Sequence, residues 1–235
     1  MNSKNNIISV ISNKGGVGKT SIAIATGFYL SSRRNEPTLL LELDSSPGDF
    51  GALFDISSDK SLDIAVRFPQ NFKNYSKKIL ENLYAIKGSA SPVSFQKIEP
   101  EKINVLLNYI SGVYRNIIVD TQSLIDGTII GILKSSSKIL LITEYSVESI
   151  SRNLGLYISL IERYKIERDR ICLIVNKKNL LDYLKIWKYS DFSEFPIDGF
   201  ISFDRSFSKT FFITNSSRLF YTKLFRQLEK IIQGI

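Results

Sequence analysis

The 235-residue chain has no histidine and a single cysteine, methionine and tryptophan, and the first two scarcities exclude whole classes of chemistry. Without histidine the usual general base, a common metal ligand and the ordinary neutral-pH switch are all missing. Catalysis, if any, has to run on carboxylates, lysine, hydroxyls and backbone. Cys172 alone cannot close an internal disulfide, nor supply the paired thiolates of a zinc or iron–sulfur centre. Long apolar runs are missing too: none approaches the ~20 residues of a membrane-spanning helix. Met1 to Ser12 also lacks the charged leader, long apolar region and small-residue cleavage site of a secretory signal. The expectation is a cytoplasmic chain, peripheral at a membrane or nucleoid if it docks on either. No repeat, low-complexity tract or Pro-, Gly- and Ser-rich linker divides it, so one domain over residues 1–235 is expected.

What is present suits an α/β domain: 43% hydrophobic and 23% charged residues can bury a substantial core. Thirty-one Lys and Arg against 23 Asp and Glu give a formal charge of +8, which favours encounters with nucleic acid or anionic lipid and equally fits an ordinary basic soluble protein. Short β-branched runs at 7–12, 38–43, 83–86, 117–119, 139–143, 171–175 and 199–202 read as strands. Between them, 20–32, 100–112, 125–133, 147–164 and 216–233 carry apolar residues at helical spacing. Such alternation predicts a mostly parallel, doubly wound sheet of about seven strands with helices on both faces. The least regular stretch, 55–94, reads as short helices over a sheet edge. The terminal segment 216–233 is amphipathic, with Phe220, Leu224, Leu228, Ile231 and Ile235 in one stripe and Arg218, Lys223, Arg226 and Lys230 around it. Packing on its own sheet and docking in a membrane interface both account for that pattern.

The decisive segment is Lys14-Gly15-Gly16-Val17-Gly18-Lys19-Thr20-Ser21, directly after the first strand and before the first helix. Its glycines let the chain turn tightly, so that successive amides and the helix N-terminus point at phosphate oxygens. Lys19 is placed to neutralise phosphate charge and the Thr20 hydroxyl to bind Mg²⁺.

With its extra Lys14, this segment resembles the deviant Walker A motif of the MinD, ParA and nitrogenase iron-protein group of P-loop ATPases. The resemblance implies ATP and Mg²⁺ as cofactors and an ATP-dependent homodimer in which Lys14 reaches the partner's nucleotide. Leu41-Glu42-Leu43-Asp44 followed by Gly48-Asp49-Phe50-Gly51 looks like the switch I stretch of the CpaE and TadZ pilus-assembly ATPases, with Glu42 where that family usually has Asp. By that likeness Asp44 orients the attacking water and Asp49 lies near the metal or the dimer seam. Tyr114 to Asp120 resembles the Walker B strand, whose last residue, Asp120, holds Mg²⁺ through water. The family then continues with Pro and Gly, whereas this chain continues Thr121-Gln122-Ser123-Leu124-Ile125-Asp126-Gly127. Asn176 stands where the family contacts adenine, and Asn179 stands where a GTPase would have the carboxylate that accepts from guanine, which favours ATP.

The expected site is therefore Lys14, Lys19 and Asp44 for catalysis, Gly15 to Ser21 with Asn176 for nucleotide, and Thr20, Asp44 and Asp120 for metal. The implied function is an ATP-dependent switch that positions a cellular machine or cargo with a protein partner of a pilus, secretion or partition system. Two alternatives stay open: a ParA-like partition ATPase binding nonspecific DNA through Arg163, Lys165, Arg168, Arg170, Lys177, Lys178, Lys185 and Lys188, and a poorly hydrolysing nucleotide-bound scaffold.

Overall fold

Consecutive apolar residues are fully buried only in a strand covered on both faces, and β2 (Thr38–Leu43) and β5 (Asn116–Thr121) are buried at every position. The computed structural model describes residues 5–44, 48–89, 91, 93, 98–178, 197–205, 207 and 220–233. With β1 (Asn6–Ile11), β3 (Lys77–Leu80), β4 (Leu83–Ile86), β6 (Lys138–Glu144), β7 (Ile171–Lys178) and β8 (Ile197–Ser202), these strands form one sheet in the order β3-β4-β2-β5-β1-β6-β7-β8. Every neighbouring pair is parallel except β3 and β4. The sheet thus has eight strands rather than about seven. The extra one, β3, is a short edge strand whose leading pair Lys77-Lys78 conceals it in the sequence.

Alternate side chains of each strand point to opposite faces, and this divides the core in two. Leu39, Leu41, Leu43, Ile117 and Val119 face α2 (Pro100–Ser111), α3 (Gly127–Ser135) and α4 (Val147–Glu162), whereas Val10, Leu40, Ile118 and Ile142 face α1 (Lys19–Phe28) and α5 (Lys223–Ile232). Helix starts follow side-chain caps. Asp126 accepts from the Ile129 amide at 2.9 Å and starts α3 two residues later than the apolar pattern suggests. Ser146 accepts from the Ser149 amide at 3.2 Å to start α4. α1 runs on as a widened π turn, Tyr29–Arg33. The irregular stretch contains the short helices Leu62–Arg67 and Phe72–Tyr75 beside the edge strand.

The terminal stripe is occupied by the protein's own core. In α5, Leu224, Phe225, Leu228 and Ile232 are buried, with the Phe225 ring 5.0 Å from Phe220 and 6.5 Å from Tyr29. Gly199 on β8 lacks a side chain where Ile231 lies, which lets α5 settle directly on the edge strand. Lys223, Arg226 and Lys230 stay exposed. Residues 216–219, with Arg218, and Ile235 lie outside the described residues. Since Phe225 is 1% exposed, Phe225→Ala is expected to cost about 3–5 kcal/mol, measured as a lower urea midpoint. A loss below 1 kcal/mol would mean that α5 is not a core element.

Candidate functional site

The carboxyl ends of β1, β2, β5, β6 and β7 meet at one edge, and the loop from β1 into α1 runs across them. Gly16 and Gly18 have φ of 74° and 99°, left-handed values that residues with a β-carbon rarely adopt. At Gly18 a β-carbon would also run into the Asn176 amide. Neighbouring side chains hold the loop from beneath. Asn176, 3% exposed at the end of β7, donates to the Val17 carbonyl at 2.8 Å. Asn153 of α4, fully buried, accepts from the Asn13 amide at 3.0 Å.

On the β2–β5 side the site is rich in carboxylates. Glu42 and Asp120 are register partners across the two strands. Asp44 and Asp49 lie close enough to act electrostatically on Lys19, and Asp120 accepts a hydrogen bond from the Thr20 side chain. Burial raises the Asp120 carboxyl far above the usual carboxylate range, and the charges of Glu42 and Asp44 add to the rise against the Thr20 hydrogen bond and Lys19. Burial also lowers the Lys19 ammonium, opposed by Asp120, Asp44 and Asp49. The Asp120 Oδ1 atom is buried without a hydrogen-bond partner. An orphaned carboxylate oxygen beside a threonine hydroxyl and the phosphate loop fits Mg²⁺, a hard cation that takes few protein ligands and fills its shell with phosphates and water. No cluster of three or more His, Cys, Asp or Glu that could hold a metal occurs among the described residues.

Glu42 has a different task. Its carboxylate accepts from the amides of Asp49 at 2.6 Å, Phe50 at 3.1 Å and Gly88 at 2.7 Å, tying residues 48–50 and the end of β4 to β2. A β-carbon at Gly48, where φ is 60°, would strike this carboxylate.

On the β6–β7 side ammonium groups prevail. Lys14 Nζ lies 3.2 Å from Glu144 Oε2, and Lys177 Nζ lies 3.1 Å from Glu144 Oε1 while also donating to the Gly16 carbonyl. Partial burial alone would raise the Glu144 carboxyl, but the Lys177 and Lys14 hydrogen bonds and charges hold it below its ordinary value.

The family model for an anion-transporting ATPase matches residues 6–106. No curated protein sequence matches the chain. Among solved structures, a ParA family ATPase from Chlorobium tepidum TLS aligns with a TM-score of 0.83 at 20% identity, over 98% of this chain and 100% of that one. The septum site-determining protein MinD from Pyrococcus horikoshii OT3, complexed with Mg-ADP, aligns at 0.78 and 15%, over 98% and 95%. The MinC:MinD cell division protein complex from Aquifex aeolicus aligns at 0.75 and 18%, over 98% and 96%. The chain has the fold of the ParA and MinD ATPases.

Within that fold, the residues expected from sequence converge. Gly15 to Gly18 form the loop, Lys19, Thr20 and Ser21 open α1, and Asp44 and Asp120 stand beside Lys19. Lys14 turns to Glu144 and Asn176 gives its amide to the loop backbone. Sequence reasoning missed Ser123, whose Oγ accepts from Lys19 Nζ at 2.8 Å, and the pairing of Glu144 with Lys177. The available signal was Glu144 at the carboxyl end of a strand next to β1, where open α/β sheets place ligands.

Burial pushes the Glu42 carboxyl up to about 7 against its three amide donors. A folded-state value above the ordinary 4.5 favours the protonated form, so this contribution to stability is full below about pH 4.5 and is lost as pH rises through about 7. The shift corresponds to roughly 3 kcal/mol. In Glu42→Gln the fall in stability between about pH 5 and pH 8 should flatten by up to that amount, read from urea midpoints without nucleotide or metal. An unaltered slope would show that the amides keep Glu42 ionised throughout.

Proposed function

We propose that this chain is a nucleotide-switched ATPase of the MinD and ParA kind. It binds ATP with Mg²⁺, closes as a homodimer over the face that carries Lys14, hydrolyses slowly, and in doing so positions a cellular machine or cargo. The observation that carries this reading is the convergence of the left-handed Gly16 and Gly18 loop, Lys19, Thr20 and the unpartnered Asp120 Oδ1 at one sheet edge. The fold shared with a MinD bound to Mg-ADP and a MinD held in a complex with MinC supports both the ligand and the idea of a protein partner. Nucleotide drives a switch only through differential affinity for two states, and a second lysine facing a transferring phosphoryl group would provide it by stabilising charge in the closed state alone. The likeness of Glu42 to Gly51 to the CpaE and TadZ stretch is what points to a pilus or secretion machine rather than to another cargo.

Two observations bear on the docking surface. No helix among the described residues is long and apolar enough to cross a membrane, and the α5 stripe is packed on the sheet. The cations suggested for DNA are not gathered in one place. Arg163, Lys165, Arg168 and Arg170 precede β7 whereas Lys177 lies near its far end, roughly 20 Å away at about 3.3 Å per residue. The Arg170 guanidinium caps α3 through the carbonyls of Leu133 at 2.7 Å, Lys134 at 2.9 Å and Ser136. Lys185, Lys188 and Asn179 lie outside the described residues. The scaffold reading is favoured by one feature, the Gln122 amide, which donates to Asp126 Oδ2 at 3.3 Å rather than reaching toward the phosphate loop.

Lys19→Ala is expected to abolish Mg-ATP binding in a calorimetric titration, because the phosphates lose their main cation. Lys14→Ala should keep binding nearly intact and weaken the ATP-dependent dimer in light scattering. An unchanged dimer would remove Lys14 from the interface. Asp44→Ala should bind ATP and accumulate as dimer, whereas Asp120→Ala should lose the Mg²⁺ dependence of binding. Unaided turnover should lie well below about 1 s⁻¹, as in P-loop NTPases without a partner, and tens per second in a phosphate-release assay would contradict a switch.

A further inference from the structure

Lys177 sits where β7 stops following β8. The register between the two strands shifts between Val175 and Lys178, and Lys177 adopts φ 57°, a left-handed value in a residue with a long side chain. A bulge of this kind bends the strand and re-aims a side chain, and such bulges gather beside functional sites. Here it turns the Lys177 ammonium back over the phosphate loop, onto the Gly16 carbonyl, while the preceding Asn176 holds the Val17 carbonyl. Two successive residues of β7 thus grip two successive carbonyls of the loop.

Charge sets this corner apart from the rest of the site. Lys19 is faced by Asp120, Asp44 and Asp49. Lys14 and Lys177 share the single carboxylate of Glu144, whose side chain is 28% exposed. Two ammonium groups on one carboxylate leave one positive charge unbalanced at the rim of the glycine-rich loop. A phosphate oxygen would supply the missing charge in competition with Glu144 for the two ammonium groups.

We infer that Lys177 is a further phosphate-binding cation of the nucleotide site, and that Glu144 is the counter-ion that holds it and Lys14 until nucleotide displaces the pairing. The inference rests on the nucleotide-switch reading above. It makes Lys177 a ligand rather than a prop for the loop, and the two roles differ in sign. If Lys177 binds phosphate, removing it weakens binding, whereas removing its competitor Glu144 tightens it. If the Glu144–Lys177 pair merely stiffens the loop, either change loosens the loop and weakens binding.

The test is calorimetric titration of the full chain with Mg-ATP and with Mg-ADP, each variant first checked for a wild-type unfolding midpoint. Lys177→Met is expected to weaken Mg-ATP about tenfold, the size of one charge-assisted hydrogen bond, with Lys177→Arg restoring most of the loss. Glu144→Gln should tighten Mg-ATP about three- to tenfold. Weaker binding in both variants, or unchanged binding in both, overturns the inference. Lys19→Ala keeps the two levels apart. If it abolishes binding while Lys177→Met and Glu144→Gln match wild type, only this inference fails. If the wild-type chain does not bind Mg-ATP at all, the functional reading fails and takes the inference with it.

Discussion

Three carboxylates, Asp44, Asp49 and Asp120, face one half-buried ammonium, Lys19, with Glu42 set against Asp120 beside them, and the fold bears that arrangement at a cost. Burial first of all raises the carboxyls of Asp120 and Glu42, and neighbouring like charges, Glu42 and Asp44 on Asp120 and Asp49 on Glu42, add to the rise. The sheet order makes the crowding unavoidable, because β2 and β5 are neighbours and their register sets Glu42 against Asp120. A divalent cation relieves it at once, and the unpartnered Asp120 Oδ1 is the atom left for it. Glu42 transmits the effect outward, since the carboxylate that feels the added charge also holds the amides of Asp49 and Phe50. A cation bound at Asp120 would therefore act on the same carboxylate that sets the loop after β2.

Across the phosphate loop the imbalance reverses. The β6–β7 side carries Lys14 and Lys177 on a single Glu144, so the cradle is polarised, acidic where a metal fits and basic where phosphate oxygens fit. A metal-bound polyphosphate would match that field end to end, whereas a bare anion or a bare cation would match half of it. This complementarity favours the Mg²⁺ complex over nucleotide alone without requiring a many-ligand metal cage.

Much of this was legible in the sequence where local chemistry is decisive. Lys14 to Thr20 combines spacing with a strand-to-helix position, and the central strands are apolar at consecutive positions, so both the loop and the parallel sheet could be read directly. Asp44 and Asp120 stood out because they lie at the carboxyl ends of the apolar runs of β2 and β5. Features that depend on two distant segments escaped. Nothing in Glu144 or Lys177 alone announces their pairing, which needs β6 and β7 side by side and a bulge that no local pattern encodes. Lys177 was instead counted with a basic surface, because a charge run looks the same whether its members are solvated or engaged. Strand β3 was missed for the opposite reason: its partner β4 organises it, and its own lysines disguise it. Glu42 looked like a lengthened version of the family's Asp, and only the position of Gly48 and Gly88 around its carboxylate shows that the extra methylene reaches backbone amides.

The segment after β5 shows how the fold accommodates its departure from the Pro and Gly of the family pattern. The Gln122 amide nitrogen donates to the Leu43 carbonyl at 3.0 Å, which prolongs the β2–β5 pairing by one residue. Its side chain reaches Asp126, and Asp126 in turn caps α3. Ser123 is thereby fixed over Lys19, where its hydroxyl takes the ammonium hydrogen bond that a phosphate oxygen would otherwise receive. A proline or a second glycine here would break this chain of contacts, since neither offers a side-chain hydroxyl and proline lacks the backbone N–H. The segment is therefore wired to β2 and to Lys19 at once, the two places that change most in charge when a metal-bound nucleotide arrives. Ser123 occupies one of the three donor positions of the Lys19 ammonium, so a phosphate oxygen meeting Lys19 would share it with Ser123 or take its place. In place of the family's Pro and Gly, a hydroxyl and a helix cap link Lys19 to the start of α3 through contiguous contacts.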